Sequence, residues 1–189
     1  MQHAQNPWFL ASTLTCTLGW MIAYVLIIRR GFIEKTYGMP LVPLCVNFSY
    51  EFLFSVVWPD EFPVYIGNFV WFLIDAVMVF QYLRYGRREW AAHQPGWLFY
   101  PTFVAVLAMA ATGIATLTID TNDQRGGSLT GWGAQLLLGA GYIYLLLRRN
   151  SPKGQSMYIG ISRLVGTVAL IYAQEIYMRP FMFLRFVYV

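Results

Sequence analysis

An all-α, polytopic membrane bundle of six to seven transmembrane helices is the fold class this sequence predicts, and three observations carry it. Of its 189 residues, 58% are hydrophobic and only 12% are charged, where a soluble domain carries about 25% charged residues. Six apolar segments are each long enough to cross a bilayer, which takes about 20 helical residues. They run approximately Trp8–Ile28, Met39–Trp58, Val64–Leu83, Trp97–Ile119, Leu129–Leu147 and Tyr158–Tyr177. The loops between them alternate in charge. Backbone polar groups in lipid must be satisfied within the chain, and these segments are too long and too uniformly apolar for barrel strands, so helices are the expected solution. Residues 1–189 are expected to form a single transmembrane helical domain.

In chain order, Met1 to Pro7 has no basic stretch, and no small-residue cleavage site precedes Arg29. The first span therefore reads as permanent rather than as a cleaved signal. Arg29, Arg30 and Lys35 follow it. Pro40 and Pro43 open the second span, in the first turns, where a missing amide donor costs least. Asp60 and Glu61 separate the second and third spans, and Arg84, Arg87 and Arg88 follow the third. Between the fourth and fifth, Asp120 and Asp123 with Arg125 read as a turn. Gly131, Gly133, Gly139 and Gly141 in the fifth span read as points of close helix packing. Arg148, Arg149 and Lys153 then complete the alternation. By the positive-inside rule the basic loops are cytoplasmic and the N-terminus lies on the other side of a bacterial plasma membrane or endoplasmic reticulum. A seventh segment beginning at Phe181 has only residues 181–189, too few to span alone.

The composition also excludes function classes. The net charge of +4 resides in short loops between apolar segments, so no nucleic-acid partner is expected. Cys16 and Cys45 both fall inside spans, which argues against a disulfide framework. His3 and His93 stand apart from any metal-ligand spacing. No pair of Asp-Asp-x-x-Asp clusters offers to hold magnesium diphosphate, and no phosphate-binding glycine loop or haem or flavin signature is present. The chemistry to expect is acid–base work without metal or cofactor.

Three of the nine acidic residues lie inside spans: Glu51, Asp75 and Glu175. A charged side chain at that depth costs at least ~2.5 kcal/mol, so a use for each is expected. Glu51 is roughly 18 Å from the cytoplasmic end of its span and Asp75 about 16 Å from the outer end of its own, at 1.5 Å per residue. The two are thus near one level, with Glu175 further out, and all three are placed to line one cavity. Asn47 lies one helical turn before Glu51, where its amide reaches the carboxyl group. A carboxyl group stripped of water favours its neutral form, and a neutral carboxylic acid is a proton donor. Tyr50, Trp58, Trp71, Phe72, Tyr172 and Tyr177, with Trp20 and Tyr24 of the first span, stand around these acids. Aromatic faces attract cations without adding to them, which suits a pocket sheltering a carbocation. Singly, each ring reads as readily as a lipid contact or interfacial anchor.

Tyr37-Gly38-Met39-Pro40, then Asn47 and Glu51-Phe52, followed by Trp71, Asp75 and Tyr85-Gly86, resemble the integral-membrane terpene cyclases of meroterpenoid pathways, of the pyripyropene, paxilline and drimentine type. The resemblance is specific over about Gly38 to Gly86 and general elsewhere. It implies class II-like cyclisation of a polyprenyl chain on an aromatic, indole or pyrone partner, begun by protonating a terminal alkene or epoxide. The essential acid of the family's N-x-x-x-E motif corresponds to Glu51. The family's second acid is an aspartate near the C-terminus, for which the candidate here is Glu175, a different residue type. Two other classes also use intramembrane acids. One is a proton-coupled small-molecule transporter, for which internal repeats and broken helices are the usual sign. The other is a sterol-isomerase-like enzyme.

Overall fold

The computed structural model describes residues 6–59, 64–92, 94–124 and 127–177, the side chains of residues 64 and 174–177 excepted. The expected seventh segment, the loop acids Asp60 and Glu61, Arg125 and His93 therefore lie outside the described residues. Among the described residues the chain is all-helical. Its helices are α1 (Pro7–Ile33), α2 (Leu41–Phe52), α3 (Val64–Ala91), α4 (Phe99–Asp120), α5 (Ser128–Arg149) and α6 (Met157–Tyr177). A π-helical turn, Leu53–Val57, continues α2, and a short 3₁₀ turn, Gly96–Leu98, leads into α4.

Among the described residues four stretches are long and apolar enough to cross a bilayer: Pro7–Ile33, Tyr65–Ala91, Gly96–Asp120 and Ser128–Arg149. The sequence leads one to expect six. The difference lies in Leu41–Val57 and in Met157–Ala173 of α6, which are apolar but shorter. Pro40 blocks the front of α2 and Trp58-Pro59 stops its end, while the described side chains of α6 end at Ala173. By contrast α1 and α3, with 27 and 28 residues, measure about 40 Å, more than the ~30 Å hydrocarbon layer. Their last turns, rich in arginine, therefore extend beyond it.

The chain packs as two compact units, one comprising α1 up to Leu26 together with α6, the other running Ile27–Gln155. In the first, glycines let α1 and α6 meet. A Cβ on Gly19 would come 2.8 Å from the Ser162 carbonyl oxygen, and Trp20 covers Gly166 while donating its indole N–H to Thr167 Oγ1 at 3.3 Å. In the second unit α2 is central and touches α3, α4 and α5. Val46, Leu53, Phe54, Ile114 and Ala134 form its buried apolar cluster, with Tyr50 and Trp58 packed on the outside.

Asp120 to Asp123 form the turn expected of them, and Asp123 does more. Its Oδ2 accepts the Thr130 amide at 2.9 Å and the Thr130 hydroxyl at 2.8 Å, which fixes the first turn of α5. Gly127, at φ +55°, lies against the Phe54 ring, where a Cβ would fall 2.5 Å from Cζ. Further along α5, Gly141 packs on Pro43 and Gly131 on the Tyr50 hydroxyl. Gly133 and Gly139 do not serve close packing among the described residues, where nothing lies within 4 Å of the position of their Cβ atoms.

The basic ends of α1, α3 and α5 gather at one end of the second unit. Glu34 pairs with Arg30 at 2.8 Å and accepts the Gly154 amide at 2.5 Å, joining the end of α1 to the loop before α6. Arg149 is no free loop cation. Its side chain is 8% exposed and holds Glu89 of α3 at 2.7 Å. It also donates to the carbonyls of Tyr37 and Lys153, both at 2.9 Å, and lies 4.3 Å over the Tyr37 ring. The Tyr37 hydroxyl in turn hydrogen-bonds the Glu89 carboxylate. This cluster pins the Tyr37-to-Pro40 entry of α2.

Candidate active site

The site is built where α2 crosses α3. Asn47 and Asp75 are 2% and 0% exposed, and the Asn47 amide donates to Asp75 Oδ2 at 2.5 Å. A carboxylate without access to water needs such a donor. Glu51 follows Asn47 by one turn of α2, is half-buried, and lies within electrostatic reach of Asp75. The two acids expected at one level of the membrane are thus neighbours, joined through the residue expected to orient one of them. Asn47 is tied to Asp75, a bond between helices that spacing along α2 alone did not indicate.

Immediately beyond Glu51 the winding of α2 changes. Leu53–Val57 form a π-helical turn, closed by the Trp58 amide on the Leu53 carbonyl at 2.8 Å. Such turns are frequent at functional sites because they free a carbonyl and re-aim side chains. Asn68 of α3 donates to the Phe54 carbonyl at 3.5 Å. This residue was missed in the sequence, though a signal existed: Asn68 and Asp75 are seven apart, on one face of an apolar helix.

The expected aromatic residues divide between the two units. In the second, Phe72 is ringed by Phe48, Phe52 and Phe69, with centroids 5.2, 5.8 and 6.1 Å away. Trp71 beside it is half-buried. Tyr50 packs at a tilt against Phe54, centroids 4.6 Å apart, and donates its hydroxyl to the Gly127 carbonyl at 3.2 Å, while Trp58 lies 6.0 Å from the Phe54 ring. Trp20, Tyr24 and Tyr172 belong to the first unit, where Tyr24 is buried and Tyr172 lines a groove of about 590 Å³ between α1 and α6. The side chains of Glu175 and Tyr177 lie outside the described residues. Among the described residues no group of three or more His, Cys, Asp or Glu is placed to hold a metal ion.

Fold and site together define a helical membrane protein with two acids on facing helices, one buried and one half-buried, among aromatic rings. A family model described as Pyr4-like transmembrane terpene cyclases matches residues 4–189, and the chain belongs to that family. It is 32% identical over 156 residues to the Pyr4-family terpene cyclase mfmH of Annulohypoxylon moriforme, covering 80% of this chain and 63% of that one. To the asnovolin H synthase nvfL of Aspergillus novofumigatus it is 32% identical over 170 residues, 87% of this chain and 70% of the relative. To the terpene cyclase penB of Penicillium crustosum it is 33% identical over 155 residues, 79% and 63% of the two chains. The chain thus spans 63% to 70% of the length of these relatives. No solved structure matches it.

Proposed function

We propose that this chain is a membrane-bound terpene cyclase that starts cyclisation of a polyprenyl chain by protonating its terminal alkene or epoxide. The substrate is a meroterpenoid precursor, the prenyl chain being carried on an aromatic, indole or pyrone partner. The observation that carries the reading is the Asn47–Asp75 bond beside Glu51, set on helices of membrane character in a chain of this family. Six helices crossing the bilayer, with the basic loops cytoplasmic and the N-terminus opposite, make up the proposed topology.

Glu51 is the acid in this reading. Its carboxylic proton passes to the terminal alkene carbon or epoxide oxygen, and the successive alkenes attack the cation so formed. Loss of a proton from the last cation leaves an isomer of the substrate, so nothing else is consumed. Asp75, fixed by Asn47, orients Glu51 and shares its proton. The rings about Phe72, with Trp71 and Tyr50, supply faces that stabilise the passing cation by attraction to their π-systems. Glu175 serves as the relay that returns a proton to Glu51.

The test is product formation in membranes given a prenylated indole or pyrone. Wild type is expected to yield an isomer of unchanged mass. Glu51→Gln, inserted in normal amount, is expected to lose at least ~100-fold, the typical contribution of a positioned proton donor. Near-normal turnover by Glu51→Gln removes Glu51 from the mechanism. Substrate crossing vesicles without isomerisation overturns the cyclase reading in favour of proton-coupled transport. In the same assay Glu175→Gln should cut turnover severely and Glu175→Asp retain part, full activity of the Gln variant excluding the relay.

A further inference from the structure

At the entry of α2 lies a pocket of about 450 Å³ that the acid chemistry does not use. Its walls are Tyr37, Tyr82 and Trp90 on one side and Gly141, Tyr144 and Arg148 of α5 on the other. The ring wall is held in place from behind. Tyr82 meets Tyr37 edge-on at 4.8 Å and stacks on Phe99 at 5.5 Å. Trp90 abuts Phe99 at 6.0 Å and donates its indole N–H to the Pro95 carbonyl at 3.1 Å. Rings fixed in this way form a slot for a flat ligand at little entropic cost.

Glu89, Arg148 and Arg149 all act on the rings of the slot, and their net charge is positive. Arg149 is occupied by Glu89 and two carbonyls, whereas Arg148 lines the pocket and makes no ion pair among the described residues. A cationic ligand would meet Arg148 head-on, and a ring bearing negative oxygen would meet a partner for it. Pro40 of this pocket caps the start of α2 and precedes Glu51 by three turns, about 16 Å along the helix axis. An extended prenyl chain of several isoprene units covers that distance.

We propose that this pocket holds the head of the substrate, a planar ring carrying an acidic oxygen ionised at neutral pH, with Arg148 on the oxygen and Trp90 and Tyr82 along the ring. The inference rests on the cyclase reading and adds to it the chemistry and position of the group to which the prenyl chain is attached. The head end binds at the arginine-rich end of the unit and the terminal isoprene reaches Glu51.

The test is equilibrium binding of 3-farnesyl-4-hydroxycoumarin, an acidic enol, and of its 4-methyl ether to the full chain in nanodiscs. Glu51→Gln is the background, so that no turnover intervenes. Arg148→Gln is expected to weaken binding of the enol roughly tenfold or more, the usual effect of removing a charge-assisted hydrogen bond, and to leave the ether unchanged. Arg148→Lys is expected to recover part of the loss. Equal affinity of enol and ether for the arginine protein, or equal loss of both on substitution, overturns the proposal. Loss of the difference in enol affinity between the arginine and Arg148→Gln proteins when phosphatidylglycerol replaces phosphatidylcholine in the disc also overturns it, assigning Arg148 to lipid headgroups. Selective binding of the enol without any isomer formed by the Glu51-containing protein would instead sink the cyclase reading and leave the pocket standing.

Discussion

At Asp75 one buried carboxylate oxygen meets one amide, and substitution separates what that pair does for folding from what it does for chemistry. Asp75→Asn leaves Asn47 a carbonyl to donate to. It should insert and melt nearly as wild type does, with turnover down roughly tenfold, about one proton-sharing partner's worth. Asp75→Ala strands the Asn47 amide, at a cost of about 1–3 kcal/mol for a buried donor left unmade, visible as a lower melting midpoint in detergent. An Asn variant with full activity beside an unstable Ala variant would make Asp75 structural only. Neighbouring residues can differ as much as paired ones agree. Arg148 and Arg149 read identically in the sequence as loop cations. Yet one helical step of about 100° sends Arg149 inward to Glu89 and leaves Arg148 in a pocket wall. Little in the sequence distinguishes them, because Glu89 and Tyr37, which draw Arg149 inward, lie 60 and 112 residues away in the chain.

Among the elements, the starts and stops of α2 were legible and its winding was not. The span Met39–Trp58, with Pro40 and Pro43 in its first turns, lies within two residues of where α2 begins and its π-helical turn ends. The π-helical turn has no such signal, since Leu53-Phe54-Ser55-Val56-Val57 is as apolar as any α-helical run and periodicity is blurred over five residues. Its meaning can be tested by shortening. Deleting Val56 allows the stretch to wind as α-helix, which removes the widened turn beside Glu51 while leaving Trp58 near its present direction. The variant is expected to insert and remain helical by circular dichroism, with product yield reduced several-fold and a shifted product ratio. Unchanged yield and ratio would show that the turn is a packing accommodation. That Glu51 and Asp75 come near one another follows from their depth along each helix; the Asn47–Asp75 bond does not, because depth does not say which way a side chain faces.

For the molecule as a whole, the alternation of loop charge was the most informative pattern, and it explains why one end of the Ile27–Gln155 unit is electrostatically tied. Burial pushes the Glu34 carboxyl up, but the Gly154 amide and the Arg30 guanidinium outweigh it and hold it below its ordinary value of 4.5. A carboxylate held low contributes stability in full above about pH 4.5 and loses it as pH falls through the lowered value. The melting midpoint of wild type should therefore exceed that of Glu34→Gln at neutral pH, the gap closing as pH is taken from 4.5 to 3. A gap that stays constant from pH 7 to pH 3 would mean that the carboxylate charge contributes nothing.

The separation of these contacts along the chain sets an order of assembly. Asn47 and Asp75 are 28 residues apart, so their bond is available once α3 has been synthesised. The Arg149 contacts must wait until α5 has emerged. An intramembrane carboxylate is costly alone in lipid, and here it has its amide partner before α4 and α5 exist to enclose it. The arginine closes last, fastening the entry of α2 after the acid pair is already made.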